Sequence, residues 1–401
     1  MNKHFPAVAI CLSVCVAIQS AEVKVSSPDG KAVITVTDDG GLSYAVTFDG
    51  REVVDKSRFG IIADNVDLGA DVKLGKTSSL KINESYAMFG GHSEANNNCR
   101  ETTVAVHTAA GENYELDVRA YNDGVALRSR LAAKPGRRIN SEATEWKISG
   151  NPLAWFQTDF GSYEGIFQSS KLEDFTAGKK IPLPITFNLP GGGYALVTEA
   201  DLLNYTDLGV QFAPDHSLHA WFHANQNCWT TDDAVVQPWR VTLLARDLNA
   251  LVNSDIVRNL CPAAPAELAQ AKWIQPGRSS WQWWSSGDPV YSEQHQWVDW
   301  TKQLGFDYYL VDEGWRTWRA DGKDNWACVR EVCDYAKTQG VKIWIWVNSN
   351  EVPDAARRTN LLDHAVAVGA VGVKIDFEPE ANVRWVNWYD ETLRDLSLIH
   401  I

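Results

Sequence analysis

Lys374 and Asp376 stand two residues apart in "GVKIDFEPE" (372–380), inside an otherwise apolar run. A charge in a buried strand is costly unless it is paired, so each residue gives a reason for the other. Strand alternation puts both on one face. A carboxylate beside an ammonium stays ionised at neutral pH. In a sugar-sized pocket such a carboxylate can attack an anomeric carbon, with a second carboxyl as acid and base. The plainer reading is an ion pair that only braces the fold.

Three other segments end in similar company. "SSWQWW" (279–284) ends in Trp283, Trp284 and then Ser285. "YYLVDEGW" (308–315) carries Asp312, Glu313 and Trp315, and "VKIWIWVN" (341–348) carries Trp346 and Asn348. Amphipathic stretches follow each strand, and the first three close on glycine, as helices do: 292–305, 324–340 and 352–369, then 382–396. Strand-helix alternation with buried strands predicts a parallel (β/α) barrel, whose active site lies at the C-terminal strand ends. A flat doubly wound sheet is the alternative, but no glycine-rich phosphate loop follows any strand. Four units fit before residue 401, and a closed barrel of this type needs eight. The last helix breaks into "LSLIHI", which does not read as a fifth strand. The expectation is therefore a C-terminally truncated and inactive fragment.

The elements before these have a different grammar. From Val23 to Leu251 short alternating segments are punctuated by Asp-Gly and Gly-Gly turns, as in "KAVITVTDDGGLSYAVTFDGREVV". That pattern predicts a β-sandwich. The organisation read from sequence is a signal peptide (1–21), a sandwich (22–262), a Pro/Ala-rich linker (263–276) and a partial barrel (277–401). Lys3 and His4 precede an apolar run to Ile18, with small residues at Ser20 and Ala21, which reads as a bacterial secretory signal. The protein is then expected to be periplasmic or secreted, with no integral membrane segment after cleavage. A lipid anchor at Cys15 of "LSVC" is disfavoured, because Val14 stands where a small residue is wanted. Cleavage leaves Cys99, Cys228, Cys261, Cys328 and Cys333, an odd number without zinc-module spacing. The net charge of −14 and the lack of a basic stripe exclude nucleic acid as a partner. The 18 tryptophans suit core packing or stacking on sugar faces.

Together, "VRAYNDGVALRSR", "ALVTEADLLNY", "SSWQWW", "YYLVDEGW" and "GVKIDF" resemble glycoside hydrolase family 97 in order and spacing. The resemblance implies an N-terminal β-super-sandwich, a (β/α)8 barrel and a calcium ion at the active site. It implies an exo-acting α-glycosidase on an oligosaccharide, α-galactoside or α-glucoside. The aspartate of "KIDF" matches the retaining, α-galactosidase-like branch and makes Asp376 the nucleophile. Glu199 becomes a calcium ligand from the sandwich. Asp312 and Glu313 would bind sugar hydroxyls, Lys374 would sit beside the nucleophile, and Trp284, Trp315 and Asn348 would line the pocket. The acid/base is implied on a later strand. An inverting α-glucosidase and a non-catalytic carbohydrate-binding protein stay open; product stereochemistry separates the first, and binding without turnover the second.

Overall fold

The computed structural model describes residues 20–88, 90–223, 228–269 and 271–399. The signal-peptide reading lies outside the described residues, apart from Ser20 and Ala21.

Residues 22–245 form antiparallel sheets of eight, ten and four strands. Alternation sets the layering: in Ala32–Thr37 every second residue is buried. Ile34, Val46, Trp146, Phe187, Val197 and Leu218 share the resulting core. The Asp-Gly turn after Phe48 works as a hairpin turn should. Asp49 and Gly50 both take positive φ (51° and 76°), and the chain returns as Arg51–Arg58. Strands Tyr194–Ala200 and Trp239–Ala245 pair directly, with Glu199 opposite Arg240. Two short helices, Leu248–Val252 and Ile256–Asn259, then cover one side of the ten-stranded sheet, burying Leu251 and Ile256 against Tyr121 and Ala126.

The second domain has four parallel strands, Ser279–Trp281, Tyr308–Val311, Lys342–Asn348 and Gly372–Asp376, paired in chain order. Helices Gln294–Gln303, Asn325–Gln339, Ala355–Val368 and Val383–Ile399 follow them. These are four of the eight strand-helix units of a (β/α)8 barrel. Asp324 and Asp354 cap the second and third helices through the N–H groups of Ala327 and Arg357, and left-handed Gly340 and Gly369 end them. One sheet face is apolar and packs on the helices: Tyr309, Val311, Ile343, Ile345, Val347 and Val373 join Val298, Val329 and Leu362. Trp297 stacks on Tyr309 at 6.3 Å. The other face carries the polar residues and is partly open.

The first strand is shorter than its sequence pattern. It ends at Trp281, and Trp283 and Trp284 enter a one-turn helix, Trp283–Ser286. The tryptophan run misleads because apolar residues do not separate a strand from a turn of helix when the run is this short.

Candidate active site

Register decides what meets on the open face. Trp346 lies opposite Lys374, and Asn348 opposite Asp376. Lys374 Nζ sits 3.0 Å from Asp376 Oδ2 and 3.2 Å from Asp312 Oδ2, so one ammonium bridges two carboxylates. The aspartates are held alike. The indole N–H of Trp281 donates to Asp312 Oδ2 at 2.5 Å, and that of Trp346 to Asp376 Oδ2 at 3.0 Å. The backbone N–H of Glu313 donates to Asp312 Oδ1 at 2.9 Å, and that of Phe377 to Asp376 Oδ1 at 3.0 Å. Lys374 also rests over the Trp281 ring, 4.6 Å from its centroid.

Burial separates the two. The Asp312 side chain is 4% exposed and that of Asp376 is 36% exposed. Asp312 therefore serves the interior, while Asp376 is reachable from the rim. Partial burial would push Asp376 up, but the Trp346 N–H, Lys374 and the Phe377 N–H outweigh it and hold the carboxyl below its usual range. Asp376 is thus a carboxylate, an acceptor with one accessible side.

The backbone just after it is strained. Phe377 has φ of 62°, a left-handed conformation costly for a bulky residue, roughly 1–3 kcal/mol. Buried Ser349 donates its hydroxyl to the Phe377 carbonyl at 2.7 Å and so fixes the turn. The chain then meets the sandwich domain. Asp207 N–H donates to the Ala381 carbonyl at 3.1 Å, and Asn204 and Asn387 exchange two hydrogen bonds. Between the domains lies an open cleft of about 940 Å³, bordered by Tyr163, His223, Trp229, Glu378, Glu380 and Tyr389. In its wall the Tyr163 hydroxyl donates to Asp207 at 2.6 Å. Burial, reinforced by the charge of Glu199 and opposed by Tyr163 and Arg240, pushes Asp207 up to about 7.

The remaining sequence candidates are dispersed. Glu313 is exposed at the end of its strand. Asn348 lies beside Asp376 in register, but its side chain caps the turn Ser349–Glu351 by accepting from Asn350 N–H. Trp315 is fully buried and donates its indole N–H to the Trp346 carbonyl at 2.8 Å, so it offers no ring face to a ligand. Its place is behind the site, under Trp346. Trp284 is 82% exposed on the one-turn helix. Trp281 and Trp346 are the tryptophans the polar cluster uses, through N–H groups rather than ring faces alone. Their alternation with Leu310, Asp312 and Lys374 across the register was the available signal.

Glu199 is already engaged. Its Oε2 lies 2.5 Å from Arg240 Nη1, and its Oε1 accepts the Leu208 N–H at 3.0 Å. Arg240 is fully buried and also binds the fully buried Glu142, which takes further hydrogen bonds from Tyr205 and Thr144. Burial pushes Glu199 up, against Arg240 and Leu208. Calcium takes six to eight oxygens. Among the described residues no three His, Cys, Asp or Glu side chains gather as a metal site. Arg240 already supplies the positive charge beside Glu199, so a calcium ion there would compete with it and would need further oxygen ligands.

A β-sandwich joined to a parallel β/α domain, with an accessible aspartate held by lysine at the strand rim, defines a two-domain sandwich-plus-β/α protein. The chain belongs to glycoside hydrolase family 97: residues 25–262 match its N-terminal domain and residues 278–401 its glycoside hydrolase domain. It is 27% identical over 392 residues to a probable retaining alpha-galactosidase of Streptomyces bingchenggensis, covering 94% of this chain and 60% of that protein. It is 23% identical over 426 residues to a retaining alpha-galactosidase of Bacteroides thetaiotaomicron, covering 94% and 63%. The chain thus spans about three fifths of the length of these curated relatives. Among solved structures, a family 97 enzyme from Pseudoalteromonas sp. strain K8, in complex with acarbose, superposes with a TM-score of 0.82 at 21% identity. That match covers 94% of this chain and 65% of that one. A beta-arabinopyranosidase also gives 0.82 at 21%, covering 94% and 66%. Both share the fold.

Proposed function

We propose that the chain is the sandwich and nucleophile-bearing part of an exo-acting, retaining α-glycoside hydrolase of α-galactosidase type, with Asp376 as nucleophile. The observation that carries this reading is the contrast between two equally well-held aspartates, of which only Asp376 is accessible. The relatives named retaining alpha-galactosidases support the sugar and the stereochemistry. In the first step an Asp376 oxygen bonds to the anomeric carbon as the glycosidic C–O bond breaks. The leaving oxygen takes a proton from a carboxylic acid, and water later displaces Asp376 with that same carboxyl as base. Lys374, Trp346 and the Phe377 N–H keep Asp376 unprotonated for the attack. The acid/base is proposed on a further strand of the barrel. The substrate is proposed to be an oligosaccharide or α-galactoside entering by the cleft beside Tyr389 and Glu378. Calcium is proposed from the family resemblance, with Glu199 as a ligand, and no step is assigned to it. Secretion is proposed from the N-terminal sequence.

The test is Asp376→Ala with external azide, in an enzyme active on aryl α-galactosides. The variant should lose several orders of magnitude in rate, roughly 10³-fold or more. Azide should restore part of it and yield a β-galactosyl azide. Near wild-type turnover in the variant, or inverted product from the unmodified enzyme, would refute the assignment. The second result would favour an inverting α-glucosidase-type mechanism.

A further inference from the structure

Trp346 stands out because the site needs it for something a core tryptophan does not do. Its ring is nearly buried, edge-on to Phe377 with centroids 6.0 Å apart. Its carbonyl is fixed by the buried Trp315. Its indole N–H therefore has one direction to point, and that direction is Asp376 Oδ2. Lys374 donates to the same oxygen, and the Phe377 N–H takes the other.

We propose that Trp346 is a positioning residue for Asp376: its indole N–H fixes the rotation of the carboxylate and leaves the Oδ1 side turned to the rim. Lys374 alone cannot do this. An ammonium on a flexible stem has three rotatable donors and follows the carboxylate wherever it turns. The indole donor is rigid, single and backed by Trp315. The same device holds Asp312 through Trp281. There burial closes the site, so an identical donor set makes one structural and one accessible aspartate.

This inference rests on the proposed role of Asp376 in its kinetic consequence but not in its structural one. The charged and titratable groups facing Asp376 are Lys374 on its own strand, Asp312 through Lys374, and Tyr389 on the following helix, which Glu378 also meets. None of them replaces the indole donor. The hydrogen bond also favours the ionised form, in line with the lowered Asp376 pKa.

The experiment is a titration of the Asp376 carboxyl carbon by ¹³C NMR in the 401-residue chain, beside Trp346→Phe and Trp344→Phe. Phenylalanine keeps most of the ring and deletes the N–H. Trp344 is on the same strand and face but has no carboxylate partner among its described hydrogen bonds. Trp346→Phe should raise the Asp376 midpoint by about one pH unit, while Trp344→Phe should leave it within about 0.2. In an enzyme active on aryl α-galactosides, the acid limb of kcat/KM should move by the same amount, with kcat falling about tenfold or more and KM within about twofold. A second readout needs no variant: the Trp346 indole ¹⁵N resonance of the unmodified chain should titrate with the Asp376 midpoint. An unmoved midpoint in Trp346→Phe, or an indole resonance blind to Asp376, would overturn the proposal. Those outcomes leave the nucleophile assignment standing, because that is decided by azide rescue of Asp376→Ala.

Discussion

Arg240→Met removes the only cation that binds Glu142 and Glu199 among the described ion pairs. The Arg240 and Glu142 side chains are fully buried and Glu199 nearly so. Glu142 would keep Tyr205 and Thr144 as neutral donors, and Glu199 would keep the Leu208 N–H. Breaking a buried pair from one side leaves uncompensated charge and costs about 3–5 kcal/mol. For a domain of this size that lowers Tm by about 6–20 °C, at about 2–4 °C per kcal/mol. The sign with pH follows from where the protons go. Without Arg240 the burial that already raises Glu199 is opposed chiefly by the Leu208 N–H, which leaves its folded-state pKa above the unfolded glutamate value of about 4.3. The folded variant then binds more protons than the unfolded chain between those values. Its stability falls as pH rises through that window, with a slope of up to about 1.4 kcal/mol per unit for one group. The assay is urea denaturation of both forms near pH 5 and pH 8. The loss should be larger at the higher pH, and adding Glu142→Gln should recover at least about 1 kcal/mol of it. A loss under about 1 kcal/mol, or one independent of pH, would show that the network is solvated and the burial reasoning wrong.

Lys374→Met should raise the Asp376 midpoint by about one unit in a ¹³C titration, an estimate already discounted for the partial exposure of Asp376. The depressed pKa of Asp376 contributes stability above the unfolded aspartate value of about 3.9, lost as pH falls through the folded value, so this variant should be less acid-dependent than the parent. An unchanged midpoint would mean that Trp346 and the Phe377 N–H act alone. Calcium should bind this chain weakly, with Kd of about 10⁻⁴ M or above by calorimetry, and Glu199→Gln should remove that binding. Submicromolar affinity would contradict the account of Glu199 as neutralised by Arg240. N-terminal sequencing of protein exported from a bacterial host should begin at Ala21 or Glu22; soluble cytoplasmic product retaining residues 1–20 would end the secretion proposal.

The division of the chain was legible in its sequence because periodicity and turn chemistry are local. Asp49-Gly50 makes its hairpin, and Gly340 and Gly369 end their helices, whatever packs around them. Alternation likewise put Lys374 and Asp376 on one face without knowledge of any neighbour. What alternation cannot supply is the partner across the sheet, because register is set by the packing of whole strands and helices. Trp281 and Trp346 became donors to Asp312 and Asp376 only when four strands aligned in parallel, and Trp315 became a core residue when its helix-side neighbours closed over it. Glu199 met Arg240 through strand pairing 41 residues apart, a compensation no motif announces. The sequence determined which carboxylates exist and how they alternate. Tertiary structure decided which of them water and a ligand can reach, since burial is a property of the assembled layers and not of any segment.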